Sequence, residues 1–147
     1  MRRQHQRNAT AVTEFAMVAP FLVLILLGAI DVGQSINVAQ VVNDASREGA
    51  RIASRADVND LSDVSAAVSA SLAKSFPKTS SQNLNSAVTV TVSDASGTVP
   101  GGDLSTVASG DPISVQVIMQ YDAVRWTIGF AGLTDGSIET TTTMRRE

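Results

Sequence analysis

Cysteine is absent from this chain of 147 residues, and histidine occurs once, as His5. Without cysteine the protein has no disulfide, no thiolate metal site and no thiol nucleophile. His5 lies in a short basic leader at the amino terminus, so the rest of the chain cannot build a histidine metal cluster or a His-based catalytic triad. The core must therefore be held by packing within the chain or by neighbouring molecules.

Other signals of chemistry are missing as well. The chain has no phosphate-binding glycine loop and no dinucleotide fingerprint. Asp57, Asp60 and Asp63 are close in sequence, but they lack the alternating spacing and the final glutamate of a calcium loop, and a charged helix start explains them better. We therefore expect no enzymatic activity, no cofactor, and no catalytic or metal-binding residues.

Charge is unevenly distributed along the chain. The formal net charge is −3, and three of the eleven basic residues are the leader arginines Arg2, Arg3 and Arg7. The remainder carries eight basic against fourteen acidic residues. An acidic exported part argues against nucleic acid as a partner.

The leader is followed by the longest apolar run of the chain. From Phe15 to Ile30 there are sixteen residues without a charge, which span about 24 Å as a helix, short of the hydrocarbon core of about 30 Å. Counting back to Ala9 makes the run long enough. We predict a transmembrane segment at 10–33, after a leader at 1–9 and before an extracytoplasmic domain at 34–147.

Glu14 lies within this extended apolar run. A carboxylate inside the bilayer costs about 2.5–3.5 kcal/mol unless it is paired, so an intramembrane acid is a functional hypothesis. The alternative is that Glu14 sits at the membrane interface and merely ends the hydrophobic segment. Placement alone does not decide between the two.

The charge pattern predicts the orientation. Basic residues precede the span, and none occurs in the fifteen positions after Ile30, so the amino terminus is expected in the cytoplasm. Small residues do not occupy both positions that a signal-peptidase cut requires, which favours an anchor over a secreted protein. The expected location is the bacterial inner membrane, in a single pass, with the carboxy-terminal domain in the periplasm or at the cell surface.

Helical periodicity predicts two helices. Apolar residues at spacings of three and four carry the first helix out of the membrane to about Arg55. A second helix begins after Asn59 or Asp60 as the cap, forms an apolar stripe from Leu61 to Phe76 and ends at Pro77. The charges on the outer flank of the first helix are expected to face solvent.

The remaining pattern has a period of two. Alternation predicts strands near residues 87–93, 113–121 and 137–147. In the second of these strands the apolar residues lie on one face, which is expected to point inward: Ile113, Val115, Val117, Met119 and Tyr121. The fold class is therefore α+β, with a long membrane-spanning helix, a second helix and a small antiparallel sheet of about three strands.

Two other segments bear on function. Residues 94–112 are rich in Gly, Ser, Asp and Pro and are predicted to form a long exposed loop. Such a loop favours an alternative function, an uncleaved signal-anchored binding module that presents its domain to a ligand. Residues 123–133 contain Trp126, Ile128, Phe130 and Leu133, and we expect them to pack on the sheet.

Four stretches of this chain carry a family resemblance. They are residues 13–20 (TEFAMVAP), 28–33 (GAIDVG), 43–51 (NDASREGAR) and 142–147 (TTMRRE). In these stretches the chain resembles the TadE-like proteins, which are pilin-like subunits of the bacterial tight-adherence type IV pilus system. The third stretch is the most specific, through Arg47, Glu48, Gly49 and Arg51. Residues 56–112 carry no such likeness.

The resemblance implies a minor pilin or pseudopilin that serves pilus assembly, adhesion or surface colonisation. Its expected partners are membrane lipid, a prepilin peptidase, other pilin-like subunits and pilus assembly proteins. The family pattern has a glutamate fifth in the mature chain, which makes Glu14 the assembly residue and the bond between Ala9 and Thr10 the cut. Ala9 stands where the pattern has glycine, so a cut after Asn8 and an uncut leader stay open.

Overall fold

The computed structural model describes residues 2–77, 79, 81–99, 102–124 and 136–147, with side chains from residue 11 onward except that of residue 81. Its longest element is helix α1, Arg2–Ala53, with 52 residues and a length of about 78 Å. The helix ends at Ala53, close to the predicted Arg55, and the next turn tightens as Arg55 N donates to Ile52 O. One continuous helix thus contains both the apolar run and the amphipathic stretch.

Helix α2 covers Leu61–Ser75, as the sequence predicts. Asp60 is its N-cap, because its carboxylate accepts a hydrogen bond of 2.8 Å from Ser62 N. The stripe of Val64, Val68 and Leu72 is fully buried and packs between α1 and the sheet. Proline follows at position 77, where it prevents the helix from continuing.

The sheet has four strands rather than about three. They are β1 (Val88–Asp94), β2 (Gly97–Thr98), β3 (Pro112–Gln120) and β4 (Ser137–Arg145), in the order β2-β1-β3-β4 with every pair antiparallel. Sequence analysis missed β2 because two residues are too few to show a period. A tight turn after Asp94 brings β2 back onto β1, and Gly97 has a φ of +133° there.

A third helix, α3 (Ser81–Ala87), was also not predicted. Its residues SQNLNSA contain a single large apolar side chain, Leu84, so no helical stripe is visible. Leu84 is nonetheless 2% exposed and belongs to the core. Ala87, at the end of the helix, is also buried, and two buried residues are too few to show a helical period in the sequence.

The core lies between the two long helices and one face of the sheet. On β3 the predicted inward face is confirmed, with Ile113, Val115, Val117 and Met119 inaccessible to solvent. The predicted face continues to Tyr121, which is 1% exposed. The alternate residues of β1 and β4 face the other way, so the far side of the sheet is polar and open.

Strand β4 runs along α1 in the same direction. At its start, Gly136 O accepts from Tyr121 N, and the Tyr121 hydroxyl donates to Asp31 O. At its end, Glu147 N donates to Ser54 O over 2.8 Å. The strand therefore begins near Asp31, where α1 starts to pack on the domain. It finishes near Ser54, just after the carboxyl end of α1.

The predicted packing of residues 123–133 cannot be compared in full. Val124 is buried, whereas Trp126, Ile128, Phe130 and Leu133 lie outside the described residues.

Candidate functional site

The first half of α1 is an apolar surface that the protein itself leaves uncovered. Within residues 11–30 only Ala19 and Gly28 are half-buried, and the rest are exposed. Its large exposed side chains include Phe15, Met17, Phe21, Ile25 and Leu26. Among the described residues, α1 is the one helix long and apolar enough to cross a membrane. A surface of this size requires lipid or other helices around it.

Glu14 lies on this uncovered surface, between the exposed side chains of Val12 and Phe15. The helix passes through Ala9 and Thr10 without interruption, and the side chains of those two residues lie outside the description. Burial of the Glu14 carboxylate would therefore have to come from a membrane or from another molecule. The role of Glu14 and the cut before Thr10 therefore stay predictions.

Packing of α1 on the domain begins at Asp31, which is 3% exposed. One turn later Gln34 Nε2 donates to Val124 O over 3.3 Å. These contacts, together with the Tyr121 hydroxyl on Asp31 O, join the helix to the end of β3. The apolar half of α1 thus leaves the domain from a fixed point instead of a flexible linker.

Gly49, in the motif of residues 47–51, sits where α1 packs against both α2 and the sheet. A Cβ built on Gly49 would lie 2.7 Å from Val68 Cγ2 and 3.3 Å from Val115 Cγ1. Carbon atoms do not approach that closely without displacement. Glycine is required here for packing, which gives a structural reason for this motif residue.

The charged residues of the motif lie on the outer side of α1. Arg51 donates two hydrogen bonds to the Glu48 carboxylate, at 2.9 and 2.6 Å. The hydrogen bonds from Arg51 lower the pKa of Glu48 below its ordinary value. Arg47 is exposed and forms no ion pair with the described residues. As predicted, these charges face solvent.

Two polar residues missed by sequence analysis hold α1 to the sheet. Ser46 is fully buried, and its hydroxyl is bonded to Val115 O at 3.1 Å and to Thr142 Oγ1 at 2.9 Å. Arg146 is 6% exposed and donates to Ala53 O, Val58 O and Asn59 Oδ1 at 3.1–3.3 Å. Only the tertiary arrangement reveals these contacts, since each of the two residues lies 69–96 positions along the chain from its partners.

The structure does not bring the predicted site residues together. Glu14 and Arg47 are separated by 33 residues of one helix, or about 50 Å. Glu14 therefore belongs to the apolar half of α1, whereas the motif belongs to the domain. They cannot form one local site within a single molecule.

The domain offers open grooves. The largest described one, of about 680 Å³, lies between α2 and β1 and is lined mainly by small residues, among them Ser62, Ser65, Ser69 and Val90. The described residues contain no group of three or more Asp, Glu or His side chains able to hold a metal ion. The lining of this groove and the arrangement of charges in the described residues do not point to a particular reaction.

The segment predicted as an exposed loop, residues 94–112, is partly built into the domain. Val99, Leu104 and Val107 are buried, and Leu104 N donates to Asn59 O over 3.0 Å. Its apolar residues are too irregularly spaced to show a period, so sequence analysis read the segment as fully exposed. Asp94 and Asp103 remain at the surface, where each caps its own turn.

Comparison with known proteins gives one finding. The family model described as "TadE-like protein" matches residues 9–51, the part of α1 that contains Glu14, the apolar run and the motif around Gly49. No curated protein and no solved structure gives a significant match to the chain.

Proposed function

We propose, from the TadE-like sequence of residues 9–51, that this chain is a pilin-like component of a bacterial tight-adherence pilus system, held in the inner membrane by α1. The observation that carries the proposal is one unbroken helix, uncovered and apolar over residues 11–30 and packed on a small domain over residues 31–53. Its role is structural and non-enzymatic. The finer expectation is that it supports adhesion or surface colonisation through pilus assembly.

The proposed arrangement places the amino terminus in the cytoplasm and the domain outside the membrane. The leader arginines support this orientation through the positive-inside rule. Membrane lipid surrounds the apolar half of α1, a prepilin peptidase removes the leader, and other pilin-like subunits and assembly proteins contact the mature helix.

Glu14 is the proposed assembly residue. A cut before Thr10 would leave a positively charged amine four residues, or about 6 Å, from Glu14 along the helix. The amine of one subunit could then pair with the Glu14 carboxylate of its neighbour, which would offset the cost of burying that carboxylate in the membrane. This pairing between neighbouring subunits is available only in an assembly.

Replacement of Glu14 tests the proposal. In E14Q the side chain keeps its shape and loses its charge, so we expect normal membrane insertion but a loss of incorporation into the pilus apparatus of about tenfold or more. Membrane fractionation measures insertion, and the amount of subunit co-purified with the apparatus measures incorporation. The matched control is D63N, which neutralises an exposed carboxyl in the first turn of α2 and should behave as wild type.

The same experiment distinguishes the assembly role from the alternative function. A signal-anchored binding module needs no pairing of Glu14, so incorporation of E14Q at the wild-type level would remove the assembly role. A domain that binds its ligand as a monomer, in a chain that is never cut, would then become the better account.

A further inference from the structure

The stretch of sequence between β3 and β4 is rich in large apolar residues. Residues 125–135 read RWTIGFAGLTD, and the nine residues 126–134 carry no charge. Trp126 is the only tryptophan of the chain. Connections between strands run over the surface of a protein and are usually polar, so an apolar connection requires something other than water to cover it.

Both ends of this stretch are held at one end of the domain. Gly136 O, just after it, accepts from Tyr121 N at 3.1 Å, and Val124 O, just before it, accepts from Gln34 Nε2 at 3.3 Å. The Tyr121 hydroxyl also donates to Asp31 O. The chain therefore leaves the domain and returns to it beside residues 31–34 of α1, and we call this end of the domain the Asp31 end.

The Asp31 end is also where the apolar half of α1 leaves the domain. Residues 11–30 are uncovered, and the predicted membrane span ends at residue 33. Beyond it, Val32 and Ile36 are 49% and 56% exposed and continue the apolar surface of the helix. Because β4 runs along α1 in the same direction, the Asp31 end is the end of the sheet that faces the bilayer when α1 crosses it.

The opposite end of the domain, beside Ser54, has a different composition. Residues 54–60 (SRADVND) contain the exposed ion pair of Arg55 with Asp57, at 2.7 Å. Residues 94–97 (DASG) form a tight turn at the same end and contain no large apolar side chain. The two ends of the domain therefore differ as a lipid-facing end and a water-facing end would differ.

The stretch between β3 and β4 is long enough to reach lipid. Eleven residues that leave and return at one place extend about 18 Å, which exceeds the polar interface of about 6 Å on each side of the hydrocarbon core. Irregular backbone is excluded from lipid-exposed positions in the hydrocarbon, whereas tryptophan is favoured at the level of the headgroups. The composition therefore suits the interface rather than the bilayer centre.

We propose that residues 126–134 are a membrane-contact segment, which enters the lipid interface with Trp126 at the headgroup level, so that the domain rests on the bilayer that α1 crosses. The partner is the lipid surface itself. The inference rests on the proposed function in one respect, that α1 spans the membrane. With α1 as the first attachment, the membrane-contact segment provides a second, and two attachments fix the orientation of the domain on the membrane.

Tryptophan fluorescence tests the proposal in the full-length chain, because Trp126 is the single tryptophan. The protein is reconstituted into phosphatidylcholine vesicles in which part of the lipid carries bromine. We expect blue-shifted emission, with quenching by bromines near the headgroup about twofold or more stronger than quenching by bromines near the bilayer centre. Acrylamide dissolved in the water should quench the emission only weakly.

Two variants that move the tryptophan calibrate its depth. W126F/A95W places it at the exposed turn after Asp94, at the opposite end of the domain, where lipid bromines should not quench it. W126F/F21W places it on the exposed surface near the middle of the predicted span, where bromines near the bilayer centre should quench it most. Circular dichroism verifies that both variants retain the fold.

The alternatives give different results. If residues 126–134 pack on the sheet, Trp126 emission is blue-shifted but lipid bromines quench it no more than they quench A95W. If these residues face water, the emission is red-shifted and acrylamide quenches it strongly. Either result would overturn the membrane contact, while quenching of F21W would show that α1 still spans the bilayer. Absence of quenching in F21W would overturn the span and the membrane contact together.

A polar substitution distinguishes lipid contact from packing within the domain. F130D places a carboxylate in the lipid interface, so we expect quenching of Trp126 by bromines near the headgroup to fall about twofold or more. Membrane fractionation and thermal stability should stay as in wild type, and A95D, at the opposite end, is the control that should leave quenching unchanged. Lower thermal stability of F130D with unchanged quenching would contradict the proposal, because it would place Phe130 in the core.

Discussion

At the scale of single residues, Gly49 carries a strict packing requirement. Its Cα packs so closely on Val68 and Val115 that a methyl group has no room, and all three residues are buried. We expect G49A to lower the free energy of unfolding by about 1–3 kcal/mol through overpacking, even though alanine favours helix by about 1 kcal/mol.

Thermal unfolding followed by circular dichroism measures this change. The control is G33A, because a Cβ on Gly33 meets no atom within 4 Å and gains only the helix preference. If G49A is as stable as G33A, the close packing at Gly49 does not limit stability.

Asp103 caps the short 3-10 helix Leu104–Thr106, and this cap depends on pH. Its carboxylate accepts hydrogen bonds from the Ser105 hydroxyl at 2.6 Å and from Ser105 N at 3.0 Å, which lowers the pKa of Asp103. Because the folded pKa is depressed, the stabilisation is present above the unfolded value of about 3.9 and is lost as pH falls through the folded pKa. We expect the Asp103 carboxyl carbon to titrate below pH 3.9 by NMR.

The Ser105 hydroxyl is the largest cause of this shift, so S105A is the informative variant. Its Asp103 midpoint should move up toward the ordinary aspartate value. An unchanged midpoint would assign the shift to the backbone instead.

At the scale of elements, the carboxy terminus is tied to the end of α1 by one side chain. The Arg146 guanidinium is buried and bonds to oxygens of Ala53, Val58 and Asn59. We expect R146A to reduce the free energy of unfolding by about 1.5–3 kcal/mol, since three acceptors lose a charged donor. R146K should recover only part of this, because an ammonium group lacks the planar fork that reaches all three oxygens.

Urea unfolding of the detergent-solubilised chain measures both variants. R47A is the matched control, since Arg47 is exposed and has no ion-pair partner among the described residues. An equal loss in R146A and R47A would mean that the buried contacts of Arg146 contribute nothing specific.

Elements with a clear period could be predicted from the sequence, and those without one could not. Both long helices and the inward face of β3 follow from spacing alone, whereas the sequence left the cap of α2 open between Asn59 and Asp60. Helix α3 has two buried residues, and β2 has two residues in all, so neither produces a pattern. The roles of Ser46 and Arg146 depend on partners about seventy to a hundred residues away, which local spacing cannot encode.

At the scale of the whole molecule, the proposed function makes a prediction about the leader, residues 1–9. Processing before Thr10 should remove residues 1–9 when the chain is expressed with a prepilin peptidase. The intact mass of the membrane-extracted protein, compared with and without the peptidase, measures the cut to the residue and distinguishes it from a cut after Asn8. A full-length mass in both hosts would favour the uncleaved anchor.

The contacts of β4 have a consequence for the order of events during synthesis and export. Residues 137–146 supply the second partner of β3 and the side chain that closes the end of α1, and they are synthesised after the elements that they contact. Until they arrive, β3 has an open edge, and contacts that span about ninety residues cannot form. In the orientation that we propose, the other elements of the domain cross the membrane before β4 does, so we expect the domain to complete its folding only after residues 137–146 emerge.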